Sequence, residues 1–178
     1  MASEGLADAI ATVGAMRFDP YSNGTQWYMD VRTLSAHLAQ GPLDAALCQL
    51  VDARVSQING CAFCLRLHMH WARRAGVEQS KLDMLAGWQE APGFDERERA
   101  ALNLAESMTR LGDGRRVDEA VWSAARARFG DDELAALLYI VGLTNVWNRI
   151  NIAVELPADF ELPETGPAAP RKVGRSEN

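Results

Sequence analysis

Cys61 and Cys64 are separated by two residues, and His68 follows the second cysteine by four. Positions i, i+3 and i+4 share one face of a helix, so this spacing sets two thiols and an imidazole side by side. The cysteine Cα atoms of such a turn lie about 5–6 Å apart, inside the window a disulfide accepts, so the pair can close and reopen with little backbone movement. A histidine one turn after Cys64 can take its proton and leave a thiolate, the form that attacks a peroxide oxygen or a disulfide. Attack on a peroxide gives a sulfenic acid on Cys64, and Cys61 resolves it to a disulfide before it oxidises further. A helix N-terminus favours a thiolate at the more terminal Cys61, so the opposite order is the competing assignment; the histidine spacing favours Cys64 as the attacking sulfur.

Two blander uses of the same residues compete. Cys61, Cys64 and His68 could bind zinc with His70 or Asp52 as a fourth ligand, but structural zinc sites usually draw a second ligand pair from elsewhere in the chain, and none is visible. Two inert buried cysteines are the other alternative, and the adjacent histidine argues against it. His70 alternates with His68 and is expected to face solvent. His37 has no second ionisable group obviously paired with it and reads as a surface or packed imidazole. Cys48 sits in an apolar stretch and reads as a small hydrophobe.

The 178 residues suit one domain with a sizeable core. A net charge of −6 argues against a nucleic-acid partner, because phosphates are bound by clusters of Lys and Arg. No apolar run is long enough to cross a bilayer, and the first residues lack the basic start and apolar core of a signal peptide, so the expectation is no membrane and a cytoplasmic location. Structural disulfides are uncommon in that compartment, which turns a Cys-X-X-Cys pair toward redox or metal chemistry.

The elements that position the motif are helical. Trp27, Val31, Leu34 and Leu38 follow an amphipathic rhythm from Thr25 to the stop at Gly41-Pro42. A second helix spans about Leu43 to Ile58 and breaks at Asn59-Gly60, residues that tolerate the left-handed corner needed before the motif helix. The motif helix then starts at or just before Cys61 and runs to Gly76. Ser80-X-X-Asp83 opens a short helix, Asp95-X-X-Glu98 a longer one through Leu111, Val121 to Phe129 marks another, and Leu134 to about Ile152 the last. No strand pattern of comparable strength appears, so the class is all-α. Residues 1–24, with a weak helical pattern over Ser3 to Met16 and a turn-rich Phe18 to Gly24, are expected as a loosely docked segment. Residues 25–153 are expected as the helical domain, and 154–178 as a poorly ordered tail.

The run from Leu50 through Arg54-Val55-Ser56-Gln57-Ile58-Asn59-Gly60-Cys61-Ala62-Phe63-Cys64 to His68 and Ala72-Arg73-Arg74-Ala75-Gly76 resembles the core of the AhpD-like alkylhydroperoxidase branch of the carboxymuconolactone decarboxylase superfamily. Asn145-Val146-Trp147-Asn148-Arg149-Ile150-Asn151 resembles the end of the same domain, and the likeness covers about Leu43 to Ala153. It implies an all-helical fold, peroxidase activity with Cys64 peroxidatic, Cys61 resolving and His68 in the proton relay, and a trimeric or hexameric homo-oligomer. It implies no cofactor; reduction would come from a dithiol donor, a lipoyl-bearing or thioredoxin-like protein. Family members place a relay glutamate twelve residues before the first cysteine, where this chain has Gln49. Asp52, one turn further on, is the expected substitute, with Glu106 a more remote one; some relatives also carry a histidine where this chain has Phe63. Asn145, Asn148 and Asn151 recur every three residues, and one or two of them, Asn148 in the first place, are expected to bond polar groups near the motif. Five tryptophans and broad apolar stripes supply a further motive for self-association. Two other functions compete with the peroxidase: a dithiol redox sensor or disulfide exchanger, and a decarboxylase-like lyase that needs no thiol pair.

Overall fold

A computed structural model of the chain describes residues 16–111 and 116–162. Among these residues the structure is helical and holds no strand. A short α1 (Pro20–Asn23) leads into α2 (Thr25–Leu38), α3 (Ala45–Asn59) and the motif helix α4 (Ala62–Arg74). A short α5 (Gln79–Asp83) and a 3-10 turn (Leu85–Gly87) precede α6 (Glu96–Arg110), α7 (Glu119–Arg126) and the long α8 (Asp131–Ala153).

Helix α3 is the centre, packed against α4, α6 and α8. It is buried on every side, as a helix surrounded by neighbours must be. Leu47, Val51 and Val55 face Ala101, Leu104 and Leu137 in one core, while Leu50 and Ala53 face Ala72, Leu82, Leu85 and Leu102 in another. Asp44 caps its start by accepting a hydrogen bond from the Leu47 N–H at 2.8 Å. Gly60 ends it in the left-handed conformation, φ +73°, which a side chain would strain. The chain turns there into α4, with the Cys61 N–H bonded to the Ser56 carbonyl at 3.1 Å. The expected corner at Asn59-Gly60 is the one observed.

Most helix starts follow the sequence closely. Asp95 and Glu98 form a reciprocal capping box at the head of α6. At α5 the cap differs from expectation: Ser80 lies inside the helix, which begins after Glu78 without a side-chain cap. Helix α2 differs more. Its periodic apolar residues Trp27 and Leu34 are 77% and 41% exposed, and none of its residues is buried. Val31 and Leu38 of the same period are half-buried, Leu38 against the main core, and beside them Ser35 Oγ accepts a hydrogen bond from Trp147 Nε1 at 3.1 Å and Tyr28 packs edge-on to the same indole.

A third, smaller core surrounds the motif and extends beyond residues 25–153. Cys61, Phe63 and Cys64 pack with Val154, Leu156 and Phe160, and Phe63 stacks on Phe160 at 4.2 Å. Tyr21 of α1 also packs here. The start of the expected tail and the end of the expected loose segment are therefore walls of the site; residues 1–15 and 163–178, with most of the Ser3–Met16 pattern, lie outside the described residues.

Candidate active site

Cys61 is the N-cap of α4, and its Sγ accepts a hydrogen bond from the Cys64 N–H at 3.4 Å. The two cysteines are joined as a disulfide with Cα atoms 5.4 Å apart, the separation expected for i and i+3. Both residues are 2% exposed, so burial does not rank them. The cavity does. A cleft of about 530 Å³ opens between α2, α3, α4 and α8, and Cys64 and His68 line it while Cys61 does not. A molecule entering the cleft meets Cys64 first.

His68 Nδ1 lies 3.0 Å from Gln49 Oε1 and 3.6 Å from Asp52 Oδ2, both on α3. An amide oxygen only accepts, so Nδ1 carries the hydrogen and donates it to Gln49, which leaves Nε2 as the basic nitrogen of the neutral ring. Burial holds the His68 pKa below its usual value, with Asp52 partly offsetting it, so the neutral form is favoured. Burial likewise raises Asp52 above the ordinary carboxylate range, against smaller opposing effects of His68 and Thr144. Thr144 Oγ1 lies 2.5 Å from Asp52 Oδ1 and 2.9 Å from the Ile140 carbonyl. A hydroxyl has one hydrogen to give, so Thr144 shares it between the Asp52 carboxylate and the Ile140 carbonyl. Asp52 thus stands beside the histidine whose Nδ1 is bonded to Gln49.

Glu106 has no part in this arrangement. It pairs with the buried Arg54 at 2.6 Å and accepts hydrogen bonds from Trp88 Nε1 at 2.7 Å and Arg110 Nη1 at 2.9 Å, which remove it from the list of relay candidates. Burial pushes its carboxyl up, but the Trp88 and Arg54 hydrogen bonds and the two guanidinium charges outweigh it and hold the pKa below the usual range. Cys48 lines the cleft as a buried thiol pushed up to about 12, chiefly by burial, and is protonated at neutral pH. His37 reaches the cleft from α2, and His70 is half-buried with its ring edge-on to Trp71.

The asparagines of α8 divide the work. Asn148 accepts from Asn59 Nδ2 at 2.9 Å and donates to Ser56 Oγ at 3.2 Å, and Asn145 accepts from the same Asn59 amide; both pin the corner before Cys61 rather than the sulfurs. Asn151 reaches the sulfur: its Nδ2 donates to Cys64 Sγ at 3.1 Å, while its Oδ1 accepts from the Tyr21 hydroxyl. Tyr21 thereby fixes which end of the amide faces Cys64, and burial raises its phenol pKa, keeping the hydroxyl protonated as a donor. Thr144, Asn148 and Asn151 lie at i, i+4 and i+7 of a largely apolar helix, a polar stripe that marks the face toward the site.

The sequence of the carboxymuconolactone decarboxylase family matches residues 25–107, which hold the two thiols, the histidine and Gln49. YdfG, an uncharacterized protein of Bacillus subtilis, is 32% identical over 121 residues, 68% of this chain and 82% of that protein. The chain belongs to the carboxymuconolactone decarboxylase family. YnjA, an uncharacterized protein of Escherichia coli, is 35% identical over 120 residues, 67% of this chain, which spans 64% of YnjA's length. A crystal structure of an Agrobacterium tumefaciens protein of unknown function, described as a candidate antioxidant defence protein AhpD, superposes with a TM-score of 0.77 at 26% identity, over 82% of this chain and 99% of that one. The helical fold is thus the AhpD-like fold of the family. The match to the family model ends before α8 and begins after Tyr21, so the Tyr21–Asn151 pair lies outside the matched residues.

A hydrogen bond to a charged group is worth about 1.5–3 kcal/mol, so losing the Asn151 donor raises the Cys64 thiol pKa in the reduced protein. Asn151→Ala is expected to slow alkylation of Cys64 by iodoacetamide about tenfold at pH 7. The acid limb of its pH–rate profile moves to higher pH. An unchanged profile with a correctly folded variant would remove Asn151 from the site.

Proposed function

We propose that the protein is a thiol-dependent peroxidase of the AhpD type. In the reduced protein, His68 Nε2 takes the Cys64 proton, and the thiolate attacks the terminal oxygen of an organic hydroperoxide. The S–O bond forms as the O–O bond breaks; sulfur is oxidised by two electrons, the hydroperoxide is reduced to an alkoxide, and His68 returns the proton to release the alcohol. The Cys61 thiol then displaces water from the Cys64 sulfenic acid and restores the disulfide. A dithiol donor, lipoyl-bearing or thioredoxin-like, reduces that disulfide and becomes a disulfide itself. The observation that carries this reading is that Cys64, and not Cys61, shares the cleft with His68.

Asn151 donates to the sulfur that attacks, Gln49 orients the base, and Asp52 supplies a proton-exchanging group within reach of it. No helix among the described residues is long and apolar enough to cross a membrane. The reading includes a homo-oligomer, since Trp27 and Leu34 of α2 and Tyr139 and Val146 of α8 are exposed large apolar side chains that a second copy would cover.

The test is consumption of an organic hydroperoxide by the pre-reduced protein with dithiothreitol as donor, for wild type and Gln49→Glu. General acid–base help is worth about 10²–10⁴ in rate, and Asp52 already provides part of it, so the carboxylate at position 49 is expected to accelerate turnover about tenfold. A wild type that consumes no hydroperoxide while its disulfide still cycles with dithiols would replace the peroxidase by a disulfide exchanger.

A further inference from the structure

The cleft has two polar groups on its α2 wall that the peroxidase chemistry leaves unused. Tyr28 lines it, and its phenolic oxygen is buried with no hydrogen-bond partner among the described residues. A buried hydroxyl without a partner is costly, and the cost is recovered when a ligand supplies one. One helical turn on, Arg32 also lines the cleft, its guanidinium 5.8 Å from the centroid of the Tyr28 ring. Among the described residues it has no carboxylate partner, whereas Arg54, Arg97, Arg110, Arg126 and Arg128 each have one.

These groups are joined to the reacting sulfur by an aromatic wall. Tyr28 meets Tyr21 edge-on at 5.1 Å, and Tyr21 bonds Asn151, which bonds Cys64. Trp147 flanks Tyr28 at 5.8 Å, and Phe63 and Leu67 of α4 line the same cleft. Asp52 is the one carboxylate among the lining residues and belongs to the His68 end, so the α2 end is cationic. A guanidinium only donates hydrogen bonds, and the Tyr28 hydroxyl has one to give; the complement of both is an anionic acceptor. A volume of about 530 Å³ is of the size that holds a small organic molecule rather than hydrogen peroxide alone.

We propose that Tyr28 and Arg32 form a carboxylate-binding subsite, and that the substrate is an organic hydroperoxide with an apolar body and a carboxylate at the end remote from the peroxide. The proposal rests on the peroxidase reading for the reaction but not for the binding. The apolar body lies along the Tyr21–Tyr28–Trp147 wall, the carboxylate accepts from Arg32 and, after a shift of the Tyr28 ring that brings its buried hydroxyl to the cleft, from Tyr28, and the O–O bond is presented to Cys64. The bonds broken and formed are those already given, and the carboxylate is unchanged.

The experiment compares cumene hydroperoxide with its para-carboxylate under identical dithiothreitol regeneration, for wild type, Arg32→Met and Tyr28→Phe. Wild type is expected to favour the carboxylate by about tenfold or more in kcat/KM, through KM. Arg32→Met is expected to abolish that ratio, and Tyr28→Phe, which keeps the ring and removes the unpartnered hydroxyl, to reduce it. A wild type indifferent to the carboxylate, or a ratio that survives Arg32→Met, overturns the subsite. If neither peroxide is consumed, the peroxidase reading fails alone, and calorimetry with 4-isopropylbenzoate and 4-isopropylbenzyl alcohol decides the subsite. Tighter binding of the acid that Arg32→Met removes supports it; equal binding of the two rejects it.

Discussion

Cys64→Ser is expected to abolish hydroperoxide consumption, bringing it to the rate of buffer alone, whereas Cys61→Ser is expected to retain one fast oxidation per chain and then stop. The asymmetry follows from the cleft. Serine at position 64 is protonated and has no comparable nucleophilicity, and the remaining Cys61 sulfur is not among the groups the cleft presents. Serine at position 61 leaves the attacking sulfur and its base in place but removes the thiol that closes the disulfide. Stopped-flow consumption with one equivalent of organic hydroperoxide separates the two variants, because dithiothreitol in a steady-state assay can resolve the sulfenic acid in place of Cys61. Undiminished decarboxylation of a carboxylated lactone by the double serine variant would instead indicate the lyase-type chemistry that requires no thiol.

The second large effect is on stability and lies away from the cleft. Arg54 and Glu106 are each about 8% exposed and pair at 2.6 Å, with Trp88 and Arg110 also donating to the same carboxylate. Breaking a buried pair by removing one partner costs about 3–5 kcal/mol, because the remaining charge is left buried and uncompensated. Glu106→Ala is expected to lose that amount in urea unfolding, a large part of the roughly 5–15 kcal/mol that holds a typical domain. Glu106→Gln, which still presents an acceptor to Trp88, is expected to lose less. If Glu106→Ala unfolded at the wild-type urea concentration, the Arg54–Glu106 pair would not be the tie between α3 and α6 described above.

The motif and the helices around it could be read from local chemistry, because each rests on spacing or on a cap. The i, i+3, i+7 order of Cys61, Cys64 and His68 put them on one face, Asn59-Gly60 had to turn the chain, and Asp95 with Glu98 had to begin a helix. Asp52 was visible for the same reason, lying one turn from Gln49 on a helix facing the motif. Misreadings came from contacts that span the chain. Glu106 is near in type but is taken by Arg54, and only half of the α2 period, Val31 and Leu38, turns inward, because the packing face also uses Tyr28, Ser35 and the indole of Trp147. Tyr21 stood among turn formers, and its role depends on Asn151 more than a hundred residues away. Among three evenly spaced asparagines, Asn148 and Asn151 both share a face with Thr144, and only the contacts across the fold separate Asn151, which meets the sulfur, from Asn148, which holds the corner.

The most direct test of the account is to treat reduced Cys61→Ser with one equivalent of organic hydroperoxide, trap sulfenic acid with dimedone and locate the adduct by peptide mass spectrometry. The account predicts a dimedone adduct on Cys64, formed at the rate of peroxide loss, and none on Cys48, whose thiol is protonated. Peroxide loss without an adduct on Cys64, or an adduct in the reciprocal Cys64→Ser protein on Cys61 at the same rate, would contradict it.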